Sequence, residues 1–444
     1  MGLGGSGTMR RMERQQHARL DELMRDPYPL YARARRAEGL TYVPELQAWL
    51  VARDADVREV LRRPDVFSSA NAVRPDTVPA PAALAVLSQG QDQSGGPRRR
   101  VVVTADGPAH QRLRAPLVRG LSPARVAAVL PYVTERATAL VDALAAAGPG
   151  VRGGPRVDVM EAYALRLPGQ VIGRVLGFDP EDVPVVVRGG HSSEQLLFRP
   201  LPEDEQIAAA HDTVALRRLL EGYVQDRHAA PRDDLCSEMV TSLVPDDGEP
   251  DEADPEADDT GPALTLGQRA ELVAHLHNFL LAGHLTTTAL IGTTLLHLLR
   301  HPAQWKLVCE EPERIPAAIE EAARYDTALQ GFRRVTTRAV TLAGTELPAG
   351  AEVLVGFGSA GRDAGRYERP DVFDITRTPV ARHVAFGLGA HGCPGAQLAR
   401  EQLRVTLELF TRRFPGLRLA ADGPPVRMRP TLIHRAPEAL YVQW

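Results

Sequence analysis

A run of 28 residues without aspartate, glutamate, lysine or arginine extends from Leu272 to Leu299. A stretch of this length and composition either spans a membrane or crosses the centre of a large protein core as a helix. Ten of its positions are histidine, threonine or asparagine, and no aromatic belt flanks it. We therefore expect a long buried helix from about Thr265 to Leu299, inside a domain large enough to surround it.

The remaining patterns predict one domain that is mainly α with minor β. Residues 1–20 are predicted to be a flexible tail, and residues 21–444 to form the domain. Residues 246–262 are expected to be a disordered acidic loop, because their first fourteen positions hold nine acidic residues and no basic one. Residues 73–101, rich in proline, glycine, glutamine and serine, are expected to be a long loop.

The strand patterns are few and local, so the predicted sheets are small. Residues 40–53 alternate between apolar and polar as a hairpin does, and short strand patterns with turn glycines occupy residues 331–357. A final helix is predicted from Ala396 to Arg413, with a last hairpin after it.

Charge and cysteine content argue against several functional classes. The chain carries 52 basic and 56 acidic residues, so we expect no nucleic-acid partner. Its first residues lack the apolar core of a signal peptide, and we expect no membrane association. Cys236, Cys309 and Cys393 are odd in number and far apart, which does not suggest a disulfide framework and is typical of a cytoplasmic protein.

Cys393 lies in the segment FGLGAHGCPG, residues 386–395. It can be interpreted as a core thiol, a nucleophile or a metal ligand. Its glycine and proline neighbours offer little to pack against, a base at His391 would point elsewhere in an extended loop, and no second ligand at metal-binding spacing is present for zinc. A single thiolate suits a cofactor that brings its other ligands itself, as haem does, and the glycines allow its close approach.

The same segment resembles the F-x-x-G-x-H-x-C-x-G signature of the cytochrome P450 family. The matching residues are Phe386, Gly389, His391, Cys393 and Gly395. The resemblance implies the single-domain fold of that family, a helical bundle around haem b with small β-sheets, and it implies that Cys393 is the ligand of the iron.

Other segments carry the resemblance further. DGPAHQRLR resembles the family segment whose His and Arg, here His110 and Arg114, reach the haem propionates. Arg334 and His391 resemble further propionate partners. Buried carboxylates need charged or polar donors, so these residue types suit the task. Phe386 and Gly387 are expected to contact the haem from the cysteine segment.

A second motif is expected behind the haem. EAAR, residues 321–324, resembles the family's E-x-x-R helix, whose Glu and Arg share one helix face. Such a pair is usually an exposed ion pair on the protein surface. The resemblance instead implies a buried network of Glu321 and Arg324 with a third member, Arg377.

The long helix carries AGHLTT, residues 282–287. It resembles the family's oxygen-binding segment, which implies catalytic roles for Ala282, Gly283 and Thr286: the small residues leave room for oxygen, and the hydroxyl helps to deliver protons. Leu285 stands where the family has an acid. Without the resemblance, threonines on an apolar helix would be interpreted as hydroxyls bonded to the preceding turn.

The resemblance thus implies a bacterial monooxygenase that oxidises a small organic molecule of secondary metabolism. It would be a cytoplasmic monomer that takes electrons from ferredoxin and an NAD(P)H-dependent ferredoxin reductase. Two alternatives remain open: a haem-thiolate enzyme of atypical chemistry (peroxide-driven oxidation, oxidative coupling or dehydration) related to Leu285, and a haem sensor without enzymatic activity. Retention of Thr286 argues against the sensor, which needs no oxygen groove.

By analogy with the family, four segments are expected to line the substrate pocket. They are residues 79–96, 185–205, 327–332 and 431–434. Their mixture of apolar and polar residues suits a molecule of moderate size, and their sequence does not identify it.

Overall fold

The computed structural model describes residues 19–75, 78–89, 100–147, 156–199, 201–243, 263–377 and 382–444. Almost all of the predicted tail, 1–20, and all of the predicted acidic loop, 246–262, lie outside the described residues. Residues 19–25 are helical, so the predicted tail is wrong for its two described residues, 19 and 20.

Helices make up most of the described chain. They are α1 (Tyr28–Arg36), α2 (Asp54–Arg62), α3 (Pro81–Leu87), α4 (Gly107–Gly120), α5 (Pro123–Ala147), α6 (Arg166–Leu176), α7 (Val183–Phe198), α8 (Glu203–Ala229), α9 (Leu235–Leu243), α10 (Leu266–Arg300), α11 (Pro302–Glu310), α12 (Ile315–Tyr325), α13 (Phe357–Ala360) and α14 (Ala396–Arg413). A π-helical turn, Met160–Ala164, precedes α6, and short 3₁₀ turns occur at Pro312–Arg314 and Gly389–His391.

The strands form three small sheets. They are β1 (Thr41–Val43), β2 (Ala48–Val51), β3 (Phe67–Ser68), β4 (Val157–Asp158), β5 (Gly331–Thr336), β6 (Val340–Leu342), β7 (Thr345–Leu347), β8 (Glu352–Gly356), β9 (Arg418–Leu419) and β10 (Tyr441–Gln443). The first sheet has the order β1-β2-β8-β5-β3, the second β4-β10-β9, and β6 pairs with β7. Among the strands of the described residues, only β2 and β8 run parallel. The fold is mainly α with minor β, as predicted.

The uncharged run forms the central helix α10. Its start is fixed by a capping box in which the Thr265 hydroxyl accepts from the Gln268 amide at 3.2 Å and the Gln268 side chain accepts from the Thr265 amide at 2.9 Å. The helix packs against α6, α7, α8 and α12, and 78% of its most apolar window is buried inside the protein. This burial supports the interpretation of the run as a core helix.

The predicted loop over residues 73–101 is wrong in one part, because residues 81–87 form α3. Proline at the first helical position favours a helix start there, and Ala83 and Val86 then pack against Ala210 and Val214 of α8. Tertiary burial of this short apolar face outweighs the loop-like composition around it.

Candidate active site

The cysteine segment folds into a tight loop in front of α14. The Cys393 amide donates to the Phe386 carbonyl oxygen at 2.8 Å, which closes the loop on itself. Gly389 has φ +70°, and a Cβ there would lie 2.6 Å from the carbonyl oxygen of Leu61. Only glycine fits this backbone. The loop thus holds the cysteine on rigid backbone bonds.

Cys393 faces a cavity between this loop and α10. Its surface is exposed to the cavity, while the protein around it is dense enough that burial raises the pKa of the thiol. A hydrogen bond from the Gly395 amide and the positive charges of Arg114 and Arg400 oppose this shift. These groups would stabilise a thiolate, and metal coordination deprotonates a thiol. Within the described ranges, no group of three His, Cys, Asp or Glu side chains could hold a metal ion by itself.

Two arginine side chains line the cavity without a matching acid. Arg334 is 4% exposed, and its guanidinium donates to the Arg333 carbonyl oxygen at 2.7 Å. Burial lowers the pKa of Arg334 to about 10, and Asp106 opposes this only in part. Arg114 donates to the Gly392 carbonyl oxygen at 2.5 Å. Neither arginine forms an ion pair with a described residue, so an anionic ligand would relieve the cost of this burial.

His110 adds an unused hydrogen-bonding atom to the same wall. Its Nε2 is buried without a partner in the described chain, and burial, together with the charges of His391 and Arg114, lowers the pKa of His110 to about 4. Its ring lies 4.2 Å from the His391 ring, measured between centroids. A buried polar atom without a partner indicates a missing ligand.

His391 is held in place by Ser69 and Asp106. Its Nε2 lies 3.0 Å from the Ser69 hydroxyl and 3.6 Å from Oδ1 of Asp106. Although burial opposes it, hydrogen bonds from His391, Ser68 and Ser69 hold the pKa of Asp106 below its usual range. An ionised Asp106 therefore fixes the orientation of the histidine ring.

These residues fit haem b. One wall offers a single thiol, Cys393, and the rim offers His110, Arg114, Arg334 and His391 for two carboxylates. Apart from Gln402, the rest of this half of the cavity is mainly apolar and includes Leu117, Ala385, Phe386, Leu398 and Ala399, with Gly387 at φ +70°. All of these observations fit a flat apolar group that carries carboxylates on one edge and a metal ion that takes one further ligand from the protein.

The opposite wall is formed by α10, where Ala282, Gly283 and Thr286 all line the cavity. The Thr286 hydroxyl donates to the Ala282 carbonyl oxygen at 2.6 Å, and the helix is α-helical throughout. A Cβ on Gly283 would lie 2.5 Å from Cδ1 of Ile172. The missing side chain at Gly283 is therefore explained by the close approach of α6 and α10, in addition to any role toward oxygen.

Leu285 does not line the cavity. It is 2% exposed and is buried in the core instead. Its side chain can neither ionise nor form a hydrogen bond, so this turn of α10 supplies no acid to the cavity.

The structure brings the predicted Glu–Arg network together. Glu321 and Arg324 are buried and form two hydrogen bonds of 2.7 Å each. Arg377 approaches Glu321 to 3.3 Å, and the Asp374 amide donates to the same carboxylate at 2.8 Å. Arg324 also donates to the Gly361 carbonyl oxygen at 2.7 Å. The network ties α12 to the chain that leads into the cysteine loop.

Three of the four segments expected to line the pocket contribute side chains to it. They are Leu197 and Phe198, then Thr327, Ala328, Leu329 and Phe332, and then Ile433 and His434. The expectation is wrong for the described part of residues 79–96, which contributes none. Val73, Val102 and Val103 line the cavity at that end instead.

Sequence reasoning missed two polar residues of this half of the molecule. Asn278 of α10 lines the cavity, and Glu194 of α7 lies fully buried behind His434. The only available signal for Glu194 was a single acid in the otherwise uncharged segment 189–198. A larger surface cleft of about 880 Å³ beside α5 carries side chains of both charges and none of the predicted site residues.

Comparisons with known proteins agree with this site. The cytochrome P450 family model matches residues 256–443. Cytochrome P450 107B1 of Saccharopolyspora erythraea is 32% identical over 428 residues, which are 95% of this chain and 96% of that protein. Vitamin D(3) 25-hydroxylase of Pseudonocardia autotrophica is 34% identical over 89% of this chain and 88% of its own length. The P450 heme domain of Tepidiphilus thermophilus superposes with a TM-score of 0.81 at 27% identity, covering 95% of this chain and 94% of that structure.

Proposed function

Because the chain belongs to the cytochrome P450 family of haem-b monooxygenases, we propose that it oxidises a small, largely apolar molecule of bacterial secondary metabolism. The observation that carries this proposal is a single cavity with Cys393 on one wall and Thr286 on the other. Between them lie apolar side chains such as Phe198, Phe279 and Leu329, which suit an apolar substrate of moderate size.

When bound, haem b supplies activation of dioxygen at an iron whose thiolate ligand favours cleavage of the O–O bond. Cys393 would hold the iron, and His110, Arg114, Arg334 and His391 would hold the two carboxylates. Asp106 keeps the His391 ring in place, whereas Arg114 and Arg334 lack an ion-pair partner among the described residues and Nε2 of His110 lacks a hydrogen-bond partner there.

On the other wall, the Thr286 hydroxyl donates to the Ala282 carbonyl oxygen, so its oxygen can accept a hydrogen bond from water or substrate in the cavity. Leu285 supplies no proton. Proton transfer therefore depends on ordered water held by Thr286, or on a polar group of the substrate itself. Ala282 and Gly283 add no bulk beside this hydroxyl.

Electrons would come from ferredoxin and an NAD(P)H-dependent ferredoxin reductase in the cytoplasm. One relative is a vitamin D(3) 25-hydroxylase, which supports hydroxylation as the reaction type. The alternative of peroxide-driven oxidation, coupling or dehydration is favoured by one observation, the lack of an acid at Leu285.

A spectrum and a turnover assay test this proposal. The purified protein should contain haem, and its reduced carbon-monoxide complex should show the red-shifted band of thiolate ligation. Cys393→Ala should lose the band, whereas the matched Cys309→Ala variant should keep it. A band that survives in Cys393→Ala would refute the ligand assignment. Product formed with ferredoxin, reductase and NADPH, compared with product formed with hydrogen peroxide, separates NADPH-driven from peroxide-driven oxidation, and the structure of the product distinguishes oxygen insertion from coupling or dehydration.

A further inference from the structure

A buried carboxylate stands behind the substrate half of the cavity and has no role in the function proposed above. Glu194, on α7, has no exposed surface. The Nδ1–H of His434 donates to its Oε1 at 3.2 Å, and the Arg429 guanidinium lies 3.7 Å from its Oε2. His191, one helical turn earlier, lies 3.8 Å from the same oxygen. Glu194 and His434 are 240 residues apart in sequence, so the fold brings them together.

The charges of this cluster balance when His434 is neutral. Burial opposes ionisation of Glu194, but the hydrogen bond and positive charge of His434, followed by the charge of Arg429, lower the pKa of Glu194. With His434 uncharged, its hydrogen bond and the charge of Arg429 still act in this direction and favour the ionised carboxylate. Burial lowers the pKa of His191 and of His284 to about 4, so both rings are uncharged at neutral pH. One negative and one positive charge then remain, and a protonated His434 would leave a net charge inside the protein.

The opposite edge of the His434 ring belongs to the cavity. His434 and Ile433 line it together with Thr286 and Phe198. Nε2 of His434 forms no hydrogen bond with any residue in the described chain. Because the Nδ1 proton is committed to the carboxylate, Nε2 of the neutral ring carries a lone pair that can only accept a hydrogen bond.

We propose that His434 anchors the substrate by accepting a hydrogen bond from a hydroxyl group on an otherwise apolar molecule, and that Glu194 is its positioning residue. This inference rests on the proposed function, whose substrate it narrows to an alcohol. A carboxylate that accepts from one ring nitrogen fixes the tautomer and the orientation of the other nitrogen. One anchored end would present a defined carbon of the substrate to the reactive centre.

The test uses haem-loaded protein and imidazole ligands that carry an alkyl chain ending in either a hydroxyl or a methoxy group. Nitrogen ligation of the iron shifts the visible absorption band, so binding is measured without turnover, and several chain lengths sample the distance to His434. The methoxy compound keeps the chain but cannot donate. At the best length, the hydroxyl compound should bind wild type about 5-fold more tightly, the size of one neutral hydrogen bond.

Three variants test whether the preference for the hydroxyl ligand over the methoxy ligand depends on His434. His434→Phe should abolish it, and Glu194→Gln should reduce it, since an amide no longer fixes one tautomer. Ile433→Val, which changes the same wall without touching the hydrogen bond, should keep it. Equal affinity of the two ligand series for wild type at every length, or an unchanged preference in His434→Phe, would overturn the inference. If the ligands shift the absorption band normally but the hydroxyl and methoxy compounds bind equally well, only the role of His434 is contradicted. If no ligand shifts the band, the proposed function is contradicted as well.

Discussion

The two walls of the cavity are built in different ways. On the first wall, the segment that carries Cys393 is continuous and is held by backbone bonds within residues 386–395. The network around Glu321 ties α12 to the chain that leads into this segment. The wall that faces the substrate is assembled from α7, α10, β5 and the residues around His434, which are far apart in sequence. The first wall tolerates few substitutions, because backbone hydrogen bonds and glycine conformations fix the position of Cys393. The second can change one side chain at a time, so chemistry can vary while the cofactor stays in place.

The largest difference between the walls should appear in the Glu321→Ala variant. Removal of one partner strands Arg324, a buried cation, which costs about 3–5 kcal/mol of unfolding free energy. We expect poor haem retention and a lower midpoint in urea unfolding. The control is Glu401→Ala, which breaks the more exposed pair with Arg404 and should change stability by less than about 1 kcal/mol. Normal stability and full haem content in Glu321→Ala would show that the network around Glu321 contributes neither to folding nor to haem retention.

The next largest effect is expected for Arg334→Leu. This substitution should stabilise the apoprotein but weaken haem binding in the haem-loaded protein. Without haem, loss of a buried cation that lacks an acid should raise stability. With haem, loss of a charged hydrogen bond should speed haem transfer to an acceptor protein by about 10-fold or more. The exposed Arg338→Leu variant serves as control. Equal haem transfer from Arg334→Leu and wild type would remove Arg334 from the propionate site.

A few-fold effect is expected on the substrate wall for Thr286→Ala. The measurement is product formed per NADPH consumed. Thr286→Ala should lower this ratio because the hydroxyl no longer holds water in the cavity. Leu285→Glu, in contrast, would place a carboxylate in the core and not in the cavity, so it should lower stability and should not restore an acid to the cavity. Unchanged rate and coupling in Thr286→Ala would leave no proton role for Thr286, and the atypical chemistries would then be favoured.

The smallest effect concerns His284, which lies behind the substrate wall. Burial lowers its pKa to about 4, although its hydrogen bond to the Leu165 carbonyl oxygen opposes this, whereas an unfolded histidine titrates near 6.5. The unfolded chain therefore binds the extra proton first, and stability is lost as pH falls from about 6.5 toward 4. Wild type should lose about 1 kcal/mol more than His284→Leu between pH 7 and pH 5.5. The exposed His211→Leu variant should behave as wild type does, and parallel pH curves for His284→Leu and wild type would refute the assignment.

The same contrast explains what the sequence could predict. Cys393 and its glycines are neighbours in the chain, and Glu321 and Arg324 share a helix face, so local patterns reveal them. The contact between Glu194 and His434 depends on how α7 packs against a distant loop, which no local pattern encodes. The close approach at Gly283 was equally hidden, because a glycine that admits a neighbouring helix has the same sequence pattern as one that admits a ligand.

That glycine also indicates how pocket size can be tuned. A methyl group at position 283 would displace the Ile172 side chain, and Ile172 itself borders the cavity. In Gly283→Ala, the displaced side chain would have to turn toward the substrate or push α6 outward. One small substitution on α10 could therefore reshape the pocket through a second residue, without altering any group that bonds to the substrate. Variants selected for smaller or larger substrates should accumulate changes at positions 172 and 283 as a pair.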